Sequence, residues 1–293
     1  MHKLRLICVM VLWGSIGIFT RYIGISPILL AFLRAAIALP VILLFGAFTK
    51  SLSFKGAARK DILPYVLSGV LMGFSWVTLF IGFANTDIAA SIIAFNMCPV
   101  YVLLLAPLLL KEKLRLHQVI TVIVAFAGLV LIVFSSLNLG ETKIYGLLFA
   151  IASGVFYAFF VIVNRKAPKT LTNTSVTAVQ MATATVVILP FVLFGDAFTT
   201  LGGMDTRALI MLLILGVVHT GIAYLFYFPV YKKLPALTIS VLSYLEPFSS
   251  MAFAAVLLGE ALTVYHVAGG VLVLGSTLFC VVYESRQAAR SFA

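Results

Sequence analysis

The chain has 293 residues, 63% hydrophobic and only 10% charged, with a net charge of +11 and a mean hydropathy of +1.18. A soluble domain carries nearer ~25% charged residues, so this chain has too little polar material to face water and belongs in a lipid bilayer. The basic excess would suit nucleic acid, but the cations sit in short connections between apolar runs, which argues against that partner.

Runs able to cross ~30 Å of hydrocarbon need about 20 residues each. Ten occur, at roughly 4–21, 28–48, 62–83, 87–110, 117–135, 144–164, 173–195, 207–230, 236–258 and 264–283. The first follows a basic start, "MHKLRLICVMVLWGS", as a signal peptide would. No small-x-small cleavage pattern follows it, so a retained first helix is expected. The second span holds Arg34, and the third has Gly69 and Gly73 at GxxxG spacing, which suits close helix packing. The connections are short, and no separate soluble domain is expected. Three cysteines and four histidines are scattered, with no disulfide framework, HExxH or CxxC, so neither a metal nor a cofactor is expected.

If the spans alternate, sixteen of the twenty cations lie on one side: Lys3, Arg5, Lys50, Lys55, Arg59, Lys60, Lys111, Lys113, Arg115, Arg165, Lys166, Lys169, Lys232, Lys233, Arg286 and Arg290. Arg21, Lys143 and Arg207 lie on the other, and Arg34 is within a span. Cytoplasmic connections are the basic ones, which predicts both termini in the cytoplasm.

The fourth and ninth spans are written alike. "CPVYVLLLAPLLLKEKL" (98–114) and "EPFSSMAFAAVLLGEAL" (246–262) align at a shift of 148, pairing Pro99 with Pro247 and Glu112 with Glu260. The same shift pairs Gly73 with Gly221, Trp76 with Tyr224 and Phe80 with Phe228, and a shift of 144 pairs Trp13 with Tyr157 and Arg21 with Arg165. Each half, 1–139 and 140–293, has five spans, an odd number, so the second enters from the opposite face. The predicted fold is all-α and polytopic, ten helices in two inverted-topology repeats of five, as in several secondary transporters.

These paired proline-to-glutamate segments, with Trp13-Gly14 in the first span and Arg34 in the second, resemble the EamA family of the drug/metabolite transporter superfamily. The resemblance covers essentially the whole chain. It implies a monomer that moves small organic metabolites by alternating access, often exporting amino acids or related compounds. Lys111 stands where the family's usual glycine precedes the acid; Gly259 keeps it in the second repeat.

Residue chemistry adds candidate roles. Pro99 and Pro247 free the carbonyls of Phe95 and Ser243, which suits interior helix breaks or hinges beside neighbouring helices or a wet cavity. Glu112 and Glu260 can cap the free amides of the helix that follows each. Glu246 would be costly facing lipid, so it is expected inside the bundle, with Arg34 as its candidate partner, directly or through water. Trp13, Trp76, Asn96, Tyr157, Gln180, Tyr224 and Tyr227 supply the aromatic walls and sparse polar groups of a small-molecule cavity, although each also suits ordinary packing. With Arg34 and Glu246 they form the expected substrate-binding set. The predicted function is export of a small amphipathic metabolite across the plasma membrane, with protons as a candidate coupling partner. A lipid-acting membrane enzyme and a non-transporting sensor or scaffold are the alternatives.

Overall fold

The structure is a computed structural model that describes residues 2–109, 115–137, 141–194, 196–231, 234 and 242–291. Its helices run α1 (His2–Gly14), α2 (Ile16–Ile23), α3 (Pro27–Phe48), α4 (Arg59–Asn85), α5 (Ile88–Phe95), α6 (Cys98–Leu109), α7 (Leu116–Leu137), α8 (Glu141–Lys166), α9 (Asn173–Leu193), α10 (Thr206–Ile214), α11 (Ala223–Tyr231), α12 (Leu245–Leu258) and α13 (Val264–Ser291). A 3-10 turn spans Asp196–Gly203, and a π-helical segment, Leu215–Ile222, joins α10 to α11. No strand occurs among the described residues. Eight helical stretches are long and apolar enough to cross a membrane, and two shorter apolar helices, Leu116–Ile132 and Leu245–Leu258, fall at the expected fifth and ninth spans. The expected ten thus stand, among the described residues, as eight stretches of spanning length and two further apolar stretches, one of them within the 22-residue α7.

Local chemistry sets the helix ends. Gly24 closes α2 at φ +66° and Gly259 closes α12 at φ +67°, left-handed positions where a β-carbon would be strained. Pro27 opens α3 at a position whose N–H needs no intrahelical partner. Side-chain acceptors start three others: Asp61 takes the Ala58 N–H (3.0 Å), Thr172 the Ser175 N–H (3.1 Å) and Asp205 the Ala208 N–H (2.7 Å).

Packing follows the small residues. Lipid tails are as apolar as leucine, so helices associate where backbones can approach closely. At the crossing of α7 and α13, a β-carbon on Gly128 would lie 2.7 Å from the Gly269 carbonyl oxygen, and one on Gly269 2.6 Å from that of Gly128. Gly69 packs on α9, where a β-carbon would meet the Gln180 carbonyl at 2.8 Å. The halves hold one another crosswise: α4 lies along α8, α3 along α9, α1 against α12, and α5 and α6 against α8.

Three expected spans are interrupted rather than continuous. The first breaks at Ser15, and the fourth breaks between Phe95 and Cys98. The eighth passes through the π-segment. Gly154 of α8 sits in the fourth-span break, where a β-carbon would meet the Phe95 and Ala94 carbonyls at 3.0 and 3.2 Å. Pro99 is the second residue of α6 and Pro247 the third of α12. Both prolines therefore lie in the first turn of a helix, where a missing N–H is least disruptive.

Candidate functional site

A cavity of about 1030 Å³ lies between the halves. Its mouth is at the cation-rich face, where Arg115, Arg165, Gln118 and Glu284 line it and both arginines are exposed. Its deep end is walled by Trp13, Arg34, Trp76, Tyr224 and Tyr227, with Phe95, Asn96, Tyr157, Pro99 and Glu246 along the sides. That volume stands at the upper end of small-molecule pockets, which run ~300–1,000 Å³.

The aromatic side chains form two clusters. Trp13 lies 5.2 Å from Tyr224 and 4.8 Å from Tyr227, and Trp76 lies 6.5 Å from Tyr224. Tyr157 packs on Phe95 at 5.2 Å and on Phe160 at 5.1 Å. Such pairs, tilted except for the stacked Tyr157 and Phe160, fix ring orientation beyond simple area burial. The Trp13 indole also donates to the His219 carbonyl at 2.8 Å. The Asn96 amide donates back to Ile92 O at 2.8 Å, closing α5 at the break.

Arg34 is 4% exposed and held from two directions. Its Nε donates to Thr220 Oγ1 at 2.7 Å, and its guanidinium lies 4.3 Å over Trp76 and 5.7 Å over Phe80. Thr220 in turn donates to Leu215 O, five residues back, at 2.9 Å. The π-segment thus brings Thr220 to the arginine. Glu246 shares the cavity with Arg34, but no ion pair of 4.0 Å or less joins the two, so the expected direct pairing is not formed. Thr220 and the aromatic faces take the partner role at Arg34.

Gln180 is a correction. It is 2% exposed and donates to Ser68 Oγ at 2.8 Å and Asn164 Oδ1 at 2.9 Å, which latches α9 to α4 and α8 away from the cavity. Pro247 is buried and lies outside the cavity lining, whereas Pro99 is part of it. Glu112 lies outside the described residues.

Glu260 does cap a helix, but not the one that follows it. Its carboxylate accepts from Ile88 N at 3.1 and 3.0 Å and from Ala89 N at 3.4 Å, at the start of α5 in the other half. Arg21 pairs with it at 3.6 Å and donates to Thr86 O at 2.7 Å. Asp87, the residue positioned to cap α5, is instead drawn into an ion pair with Lys143. α13 starts on Thr263 Oγ1, which accepts from His266 N at 3.3 Å. Together with Ile88 seated over Gly17, where a β-carbon would stand 2.6 Å from an Ile88 methyl, these contacts seal the cavity at the cation-poor face.

His219 is 1% exposed, with its ring against Phe19 at 4.5 Å and its Nε2 2.9 Å from Ser15 Oγ. With Thr220 it is a functional-region residue that sequence reasoning passed over; an arginine in a span that needs a partner was the available signal. The sequence offers no metal motif, yet the fold brings His117, Cys280 and Glu284 together at the cavity mouth.

A polytopic bundle around a solute-sized chamber, with exposed arginines lining it at the cation-rich face, has the architecture of a membrane transporter. The model of the EamA-like transporter family matches residues 4–134 and again 144–282, so the chain belongs to that family. It is 28% identical over 289 residues to an uncharacterized transporter, YxxF, of Bacillus subtilis, covering 97% of this chain and 91% of the relative. A probable amino-acid metabolite efflux pump of Salmonella typhimurium is 27% identical over 198 residues, 65% of this chain and 66% of the pump. In fold, the chain resembles a crystal structure with a TM-score of 0.66 and 21% identity, over 97% of each chain.

Proposed function

We propose that the chain is a secondary transporter in the plasma membrane, with both termini cytoplasmic, that exports small amphipathic metabolites, amino acids foremost, by alternating access. The observation that carries this reading is the chamber itself, open at the cation-rich face and closed opposite by Glu260, Arg21 and Ile88. If the cation-rich face is cytoplasmic, the chamber is poised to load from the cell. Arg34 offers a carboxylate partner, Glu246 an ammonium partner, and the rings of Trp13, Trp76, Tyr157, Tyr224 and Tyr227 an apolar bed between them. Asn96 adds a polar contact on the wall. The efflux reading draws on the name of the Salmonella relative. Proton coupling is assigned to Glu246, the acid that lines the chamber.

The test is transport in vesicles of known orientation, against a panel of amino acids, amines and nucleosides, with and without an imposed pH gradient. Counterflow of at least one amino acid, and its accumulation driven by an imposed proton gradient, is expected. Absence of counterflow across the whole panel overturns the substrate class.

A further inference from the structure

At the cavity mouth, His117 in the first turn of α7 faces Cys280 and Glu284 on α13, and their ligand atoms lie within 4.8 Å of one another. The His117 Nε2 to Glu284 Oε1 distance is 3.4 Å and the Cys280 Sγ to Glu284 Oε1 distance is 3.9 Å. Zinc takes imidazole and carboxylate at ~2.0–2.2 Å and thiolate at ~2.3 Å, so ligand atoms around one tetrahedral ion stand roughly 3.3–3.6 Å apart. The 3.4 Å pair already fits that spacing, the 3.9 Å pair lies just beyond it, and the third pair lies within 4.8 Å. Cys280 and Glu284 are four residues apart on one helical face, so two of the three ligands are set by a single element.

The donor set has a preference. Thiolate with imidazole and one carboxylate suits zinc, cobalt or cadmium, and suits poorly the hard cations magnesium and calcium, which want oxygen. Outer contacts orient two of the ligands: Gln118 Nε2 donates to Glu284 Oε1 at 2.5 Å, and the His117 ring lies 4.6 Å from Tyr283. Cys280 and Glu284 both line the cavity. Opposing them, Arg115 and Arg165 stand at the same mouth, so affinity should fall below that of a closed four-ligand site.

We propose that His117, Cys280 and Glu284 form a binding site for a divalent cation of the zinc class at the mouth of the cavity, with the remaining coordination position turned toward the chamber. A bound ion ties the cation-rich end of α7 to that of α13, two helices that already pack along one another. The site stands on its own geometry, apart from the choice of transported solute.

Cobalt(II) titration of the purified full chain in detergent tests it, because a cobalt–thiolate bond gives a near-ultraviolet charge-transfer band. One equivalent per chain is expected, displaced by zinc. Cys280→Ser should abolish the band, and His117→Gln and Glu284→Gln should weaken binding about tenfold or more. Cys98→Ser and Cys8→Ser should leave it intact. No such band in the wild-type chain at millimolar cobalt overturns the proposal without recourse to any variant. A band that survives Cys280→Ser, or that vanishes with Cys98→Ser, overturns it equally.

Discussion

Gly14 and Glu246 touch backbone to backbone: a β-carbon on Gly14 would stand 2.8 Å from the Glu246 carbonyl oxygen and 2.1 Å from Ser249 Oγ. The start of the ninth-span helix can lie against the first span because residue 14 has no side chain. Gly14→Ala should therefore cost about 1–3 kcal/mol through forced displacement, read as a lower melting temperature in detergent. Gly275→Ala, where nothing lies within 4 Å, is the control and should be neutral or slightly stabilising. Equal melting of both variants would remove the close contact as a constraint.

Glu260→Gln tests the seal at the cation-poor face. The amide keeps one acceptor for the α5 N–H groups and loses the charge that Arg21 meets at 3.6 Å. Charge-assisted hydrogen bonds contribute about 1.5–3 kcal/mol, and ~1.4 kcal/mol is a tenfold shift in population. In a background with all three cysteines replaced by serine, Ile16→Cys should be labelled by an impermeant maleimide from that face about tenfold faster once Glu260 is Gln. No acceleration would show that the seal does not depend on this carboxylate.

The partner of Arg34 can be probed without touching the arginine. Thr220→Val keeps the shape and leaves the guanidinium Nε of a buried cation without its 2.7 Å acceptor, at a cost of about 1–3 kcal/mol. Thr220→Ser should retain most of the stability. Both are read by thermal unfolding, and a wild-type melt for the valine variant would assign Arg34 to its aromatic faces alone.

Glu246→Gln preserves size and removes titration. The variant is expected to fold and to exchange substrate at equal pH on both sides, with weaker affinity for want of the ammonium's charged partner, yet to lose accumulation driven by a pH gradient. Unchanged accumulation would eliminate coupling through this residue.

Orientation is accessible to labelling in intact cells. A cysteine at Gly202, which has open space around it, should react with an impermeant reagent from outside. One at Lys55, exposed in the connection before α4, should react only after permeabilisation. The reverse pattern would invert the assignment of the cation-rich face.

How far the sequence reached depended on whether a signal was local. Apolar length gave the spans, and the charge of Arg34 and Glu246 in such spans pointed inward, because hydrocarbon penalises either one. The repeat brought Trp13, Trp76, Tyr157 and Tyr224 forward as a set, and all four line one cavity. Gln180 misled because a polar side chain in a span can be satisfied sideways, here by Ser68 and Asn164. For Glu260 the chemistry of capping was legible, but its target lies 172 residues away in the other half. The π-segment left no mark on hydrophobic periodicity that a short window could separate from α-helix. His117 and Cys280 share no spacing motif, being joined by the crossing of α7 and α13.

Residues that the two halves contribute to the bundle live under two regimes. Gly128 and Gly269 meet face to face, each filling the space where the other's β-carbon would be. A side chain at either one meets the other's backbone, which no second substitution can move aside, so both positions should resist change. Trp13 and Tyr157 are counterparts that sit against different neighbours, Tyr224 and Tyr227 for one and Phe95 and Phe160 for the other. Nothing ties their identities together, and they already differ. A library aimed at changing what the chamber accepts should therefore vary these separated positions singly and leave the helix crossing alone.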